Sequence, residues 1–132
     1  MTQADAPKWA KHLADPDREE EAIAWFLAHP DDENKAVLHA IQIDGSQKAK
    51  WRAIARIFTH WYADPGILAA LFQWLADSNW PGAGIAADCL VEHGEQILAE
   101  LEEALTRARE LGDEDLAYSL EAVREDILLK QR

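Results

Sequence analysis

Cys89 and His93 stand four residues apart in "AADCLVEHGE". On a helix that spacing puts both side chains on one face, where they could supply two metal ligands or pair a thiol with a base. A closed zinc site needs three or four Cys and His, and Asp88 and Glu92 project elsewhere around the same helix. No metal site is therefore expected, and Cys89 reads as a small core residue. His12, His29, His39 and His60 show no pairing by sequence. The chain has no Ser-His-Asp order, nucleophile elbow or phosphate loop. No catalytic residue and no cofactor are expected.

The densest chemistry is acidic. Between Glu95 and Asp126 lie 11 Asp and Glu against 3 Arg. At 100° per residue, Leu116, Leu120, Val123 and Ile127 share one face of a helix. Tyr118 then points nearly opposite, beside Glu121, Ala122 and Glu125. An outward Tyr among carboxylates suits a basic protein partner. The expected partner-binding set is Glu103, Glu110, Asp113, Glu114, Asp115, Tyr118, Glu121 and Glu125. Glu103 and Arg107 can pair at i,i+4, which neutralises only part of the excess. The plain alternatives are an acidic surface that serves solubility and a Tyr lying along a neighbouring helix.

The whole chain carries a formal charge of −12. Residues 1–63 have 8 Lys and Arg against 10 Asp and Glu, while residues 64–132 have 5 against 15. Such a surface repels phosphate backbones, whose binding depends on Lys and Arg displacing counterions. It steers basic partners instead. Lys48, Arg52 and Arg56 form a stripe at four-residue spacing, read as a solvated face that can pair with acids of a neighbouring repeat. A DNA glycosylase built on a helical stack would need that stripe and the aromatics to line a basic face, and the net charge opposes it. Of the six Trp, Trp25, Trp51, Trp61 and Trp74 sit at helical spacing among apolar residues and read as core. Trp9 is expected to dock the N-terminal segment on the body.

"DSNWPGAG", Asp77 to Gly84, interrupts a sequence built largely of Ala, Leu and Glu. Its two glycines lack the preceding strand and third Gly of a dinucleotide fingerprint. Pro81 fits the first turn of a helix, Asn79 can cap it, and Trp80 can fold back as a staple. Gly82 and Gly84 would let that helix approach a neighbour closely. These five residues read as a structural corner.

The elements that would hold these residues are helical. A chain of 132 residues is read as one domain spanning 1–132, with enough length for a core without disulfide or metal. Alternating strand patterns and Asn-Gly hairpins are lacking. Helix punctuation recurs instead: Asp15-Pro16 to Pro30, Asp32 to Ile43, a start at Ser46, Asp64-Pro65, the corner, then stops at Gly94 and Gly112. Asp113 opens a last helix towards Leu129. Asp15-Pro16, Trp25 and Gly45 return 49 residues later as Asp64-Pro65, Trp74 and Gly94, and Asp113 lies another 49 beyond Asp64. That period predicts structural repeats at about 15–63 and 64–112 with a closing helix at 113–129. The expected fold is all-α, a HEAT/armadillo-like stack of about seven helices in a right-handed α-α superhelix.

"WLADSNWPGAGIAADCLVEHGEQILAELEEAL" followed by "DEDLAYSLEAV" resembles the domain of unknown function family 5071, a group of small bacterial HEAT-like helical proteins. The likeness rests on Asn79, Trp80, Pro81, Gly94, Asp113 and Tyr118 and covers roughly residues 68–127. Leu116 stands where a second aromatic is expected. The resemblance implies a fold and no activity. The N-terminus lacks the pattern of a signal peptide, no apolar run is long enough to span a membrane, and Cys89 stands alone, so a cytoplasmic protein is expected. The functional expectation is a non-enzymatic, acidic protein-binding module, an immunity protein that neutralises a basic bacterial toxin. The alternative is a scaffold or regulatory adaptor without a toxin. Neither nucleic acid nor membrane is an expected partner, and the oligomeric state is left open.

Overall fold

The computed structural model describes residues 2–76 and 82–130, with side chains from residue 5 onward. Every regular element among them is helical, which agrees with the all-α expectation. The α-helices are α1 (Thr2–Lys11), α2 (Glu19–Ala28), α3 (Asp32–Gln42), α4 (Lys48–His60), α5 (Pro65–Trp74), α6 (Ala83–Glu92), α7 (Gly94–Glu110) and α8 (Glu114–Lys130). They fall into two compact units, Met1–His60 and Trp61–Arg132. Asn79, Trp80 and Pro81 of the expected corner lie outside the described residues.

Aspartate side chains set two of the helix starts in the first unit. Asp31 accepts the Asn34 N–H at 2.9 Å and opens α3. Asp44 takes the Ser46 N–H at 3.0 Å and its hydroxyl at 2.7 Å, so the start expected at Ser46 is organised two residues earlier, and a 3₁₀ turn leads into α4. Asp15-Pro16 does not begin a helix. Asp15 closes a turn instead, its carbonyl accepting from the Arg18 and Glu19 N–H groups at 3.0 and 2.8 Å, and α2 starts at Glu19 with three glutamates in its first turn. Those acids face the positive end of the helix dipole, which favours this later start.

Within this unit α4 packs against α2 and α3, and α1 packs against the same two helices. Phe26, Leu38, Ile54, Ile57 and Phe58 are fully buried. The indole N–H of buried Trp51 donates to the Ile41 carbonyl at 2.8 Å, joining α4 to the end of α3. α1 was not expected as a helix. It buries Ala6 and Ala10 and carries Trp9 onto Trp25, the rings stacked 6.2 Å apart at 16°. Trp25 is half-buried rather than core, and it also meets the Phe26 ring edge-on at 5.0 Å and the stacked imidazole of His29 at 4.3 Å. Trp51 and Trp74 are buried as expected, whereas Trp61 is half-buried.

The second unit opens as its sequence predicts. Asp64 caps α5 by accepting the Gly66 and Ile67 N–H groups at 2.9 and 3.2 Å, with Pro65 at the first helical position. α7 and α8 form an antiparallel helical hairpin across a short connection. Gly112 turns the chain at φ +72°, the Asp113 N–H bonds back to the Ala108 carbonyl at 2.9 Å, and the Gly112 N–H to Arg109 at 3.2 Å. This pair of bonds satisfies the last carbonyls of α7. Asp113 then caps α8 through the Leu116 N–H at 3.2 Å. Ile97, Leu101, Leu105 and Ala108 of α7 are buried, as are Leu116, Leu120, Val123 and Ile127 of α8.

One glycine expectation changes. Gly82 caps α6 from a left-handed backbone at φ +100°, but a Cβ at Gly84 would meet no described atom within 4 Å. The close helix approach sits at Gly94 instead, where a Cβ would lie 2.4 Å from Ile127 Cγ2. The stop expected at Gly94 is in place: α6 ends at Glu92 with His93 as its C-cap, and α7 begins at Gly94.

Candidate functional site

Leu111 is the residue where sequence and structure part most sharply. Periodicity places it on the buried stripe of α7, yet it is 77% exposed. Ala108 is the last buried residue of the stripe: α7 ends at Glu110, and Leu111 is its C-cap, just before the left-handed turn at Gly112. Leu111 forms one end of an apolar groove between α5 and the α7–α8 hairpin.

The groove has a volume of about 370 Å³. Leu68 and Phe72 of α5 and Leu116 of α8 make its floor, only 5 to 6% exposed. Ala104 and Ala108 keep the α7 wall low. Around the rim stand Gln73, Glu100, Glu103, Arg107 and Asp113. Arg107 is turned onto Glu103, Nη2 to Oε1 3.4 Å. An apolar trough with carboxylates on its lip can bury aliphatic groups of a ligand whose flanks are cationic.

The expected partner-binding residues do not form one patch. Glu103 and Asp113 line this groove. Tyr118 is 78% exposed on the outward face of α8, as its helical phase predicts, and borders a second, shallower hollow with Ala122 and Asp126. Glu110, Glu114, Asp115 and Glu125 are exposed carboxylates. Glu121 is engaged by Arg109 of α7 at 3.2 Å, and Glu102 by Arg124 of α8. These cross-hairpin pairs were not legible from i,i+4 spacing, and they reduce the acid offered to a partner. The groove itself was missed as well. Its one sequence signal is α5, "PGILAALFQW", whose apolar residues run around more than one face and so must be covered on more than one side.

The basic stripe is largely engaged within its own unit. Arg56 meets Glu20 at 2.8 Å and Glu19 at 3.7 Å on α2, not acids of a following repeat. Hydrogen bonding and charge from Arg56 hold the Glu20 carboxyl below its usual range, and Glu20 in turn raises Arg56. Lys48 lies over the Trp51 ring at 5.8 Å, and Arg52 is exposed.

Cys89 and His93 have separate surroundings. Burial, reinforced by Glu92, pushes the Cys89 thiol up to about 11. A thiolate ligand or nucleophile needs the opposite shift. The His93 ring stacks on Tyr62 at 4.0 Å and 12°, and the Tyr62 hydroxyl donates to Gln96 Oε1. Among the described residues no group of three or more His, Cys, Asp or Glu could hold a metal ion. No described helix is long and apolar enough to cross a membrane.

The chain matches no family model, no curated protein and no solved structure.

Proposed function

We propose that this chain is a non-enzymatic, acidic protein-binding module whose second unit engages a basic partner. The observation that carries this reading is the α5–α7–α8 groove, apolar at its floor and lined by Glu100, Glu103 and Asp113 at its rim, in the half of the chain that holds 15 of the 25 acids. Within that class the reading is an immunity protein that occludes a basic bacterial toxin. Small size, concentrated acid and the lack of a catalytic constellation among the described residues support it. A HEAT/armadillo-like right-handed superhelix and membership of family 5071 belong to the same proposal, supported by the 49-residue spacing of Asp64-Pro65 and Asp113 and by the Gly94, Asp113 and Tyr118 positions. A cytoplasmic setting goes with it. In the basic stripe Arg56 is held by Glu19 and Glu20 and Lys48 lies over Trp51, which together with the formal charge of −12 supports a protein partner over nucleic acid.

A scaffold or regulatory adaptor is the second reading, favoured by the 77% exposure of Leu111 and by the acids spent on Arg109 and Arg124. The test is capture with the tagged full chain, washing at about 0.1 and 0.5 M salt, a span over which the Debye length falls about twofold. Identified partners would then be rebound to the Glu114→Lys, Asp115→Lys, Glu121→Lys variant. A stoichiometric basic protein released by salt and weakened by the variant supports the immunity reading. A neutral or acidic partner that survives high salt supports the adaptor.

A further inference from the structure

We infer that the groove between α5 and the α7–α8 hairpin receives one amphipathic basic helix of the partner. This rests on the protein-binding reading and adds the chemistry of the docking element. The α7 wall is long enough for a short helix: from Glu100 to Leu111 it runs about 17 Å, three helical turns. A helix lying along it would present residues i, i+4 and i+7 to the trough, the spacing of anchors in helix-in-groove recognition. The floor of Leu68, Phe72 and Leu116 supplies apolar surface, and Leu111 supplies an exposed edge that such an occupant would cover.

Charge chooses the sign of the flanks. Glu100 and Glu103 stand three residues apart on α7, one helical turn, so both meet the same side of an occupant. Asp113 stands at the far end. Arg107, the one cation among the described rim residues, is 3.4 Å from Glu103, where a Lys or Arg of the occupant would compete with it. Other peptide modes fit less well. Strand addition needs a sheet edge, and the described residues contain no strand. Polyproline recognition needs a groove walled by aromatic rings, and Phe72 is the sole ring among the described lining residues.

The probe is a synthetic peptide of about 18 residues, with Leu at i, i+4 and i+7, Lys at the positions flanking them and Ala elsewhere to favour the helix. Its control has the same composition in an order without helical periodicity. Binding to the ¹⁵N-labelled full chain is followed by amide shifts and by anisotropy. Shifts should concentrate at Ala69, Gln73, Glu103 and Leu111. Leu111→Ser, and Glu100→Lys with Glu103→Lys, should each weaken binding about tenfold. All three positions are exposed, so the variants should keep the wild-type circular dichroism and melting.

Equal binding of the control peptide, wild-type affinity in both variants, or shifts centred on the outer face of α8 would each overturn the helix-docking inference. So would the same groove shifts arising on concentration alone, because the occupant would then be a second copy. The broader reading is judged separately, on the captured partner and the Glu114, Asp115, Glu121 reversal. Loss of that partner's binding with an unperturbed groove removes the docked helix and keeps the module. Failure of both experiments removes both.

Discussion

Gly94, the first residue of α7, lies directly against Ile127 of α8, with no space between them for a β-carbon. A Cβ at Gly94 would fall 2.4 Å from Ile127 Cγ2 and 2.8 Å from Cγ1, and Ile127 is buried. This contact sets how closely the hairpin that walls the groove can close at its α7 start. The branched carbons of Ile127 cannot simply rotate away from it, because χ1 of Ile in a helix has one strongly preferred well.

Gly94→Ala is therefore expected to destabilise the protein. The helix-propensity gain of up to about 1 kcal/mol is outweighed by overpacking, typically about 1–3 kcal/mol. Urea denaturation should show a lowered midpoint. Adding Ile127→Ala, which removes both clashing γ-carbons, should recover part of the loss, although that change alone costs about 2–5 kcal/mol. Independent, additive losses would show that the two side chains do not compete for the same space.

Gly112→Ala tests a different cause. At Gly112 a Cβ would meet no described atom within 4 Å, so only the left-handed backbone at φ +72° opposes a side chain. A loss on the order of 1 kcal/mol is expected, with Gly112→Asn milder because Asn tolerates that region. Thermal melts of the two variants decide it, and equal losses for Ala and Asn would point away from backbone strain.

The contrast between these glycines shows what sequence can and cannot reach. Asp64-Pro65, Asp113 and the stops near Gly45 and Gly112 were legible because caps and turns are made by residues within four positions of one another. The inward phase of Leu116, Leu120, Val123 and Ile127, and the outward phase of Tyr118, followed from 3.6-residue periodicity alone. Gly94 could not be assigned its role, because the atom it meets is 33 residues away in the chain and only packing brings it there. The groove was hidden for the same reason. Its floor comes from α5 and α8, its wall from α7, and the exposure of Leu111 depends on where α7 stops rather than on its phase. The Arg109–Glu121 pair likewise spans a turn that periodicity within one helix does not see.

Alkaline pH should weaken the fold through Cys89. Its thiol is raised by burial, with help from Glu92, to about 11, against 9.0 for an unperturbed thiol. The unfolded chain then loses this proton first as pH rises. The contribution of the neutral buried thiol is complete below about pH 9 and is lost as pH climbs toward 11. Wild type should lose more stability than Cys89→Ala between these limits, measured by urea denaturation. Alkylation at pH 8 should be much slower than for an unfolded chain, and urea should restore it. Rapid alkylation of the native protein would contradict the burial.

The Glu20–Arg56 pair predicts the opposite pH sign in the first unit. Because Arg56 hydrogen-bonds and charges hold the Glu20 carboxyl low, the pair's contribution is present above the ordinary carboxylate range and is lost as pH falls through the depressed native value. Arg56→Gln should return Glu20 to an ordinary titration, read by NMR of its side-chain carboxyl. The effect on stability should be small and salt-sensitive, since both groups touch solvent. An unchanged Glu20 titration would mean that the pair is not held in solution.

The last prediction asks which side of the second unit a partner uses. Tyr118 and Leu111 are both more than three-quarters exposed, and they belong to different concavities, one along α8 with Ala122 and the other along α7 with Phe72. Neither Tyr118→Ala nor Leu111→Ser removes core, so each should change stability by no more than about 0.5 kcal/mol, whereas Phe72→Ala should cost about 3–5 kcal/mol. With folding intact, the association of a captured partner separates the two surfaces. An anchor in the groove predicts faster dissociation for Leu111→Ser and little change for Tyr118→Ala, because lost apolar contact acts mainly on the off-rate. If Tyr118→Ala alone speeds dissociation, the outer face of α8 is the binding surface. The acids at Glu114, Asp115 and Glu125 would then steer the encounter, and the groove would stand aside from it.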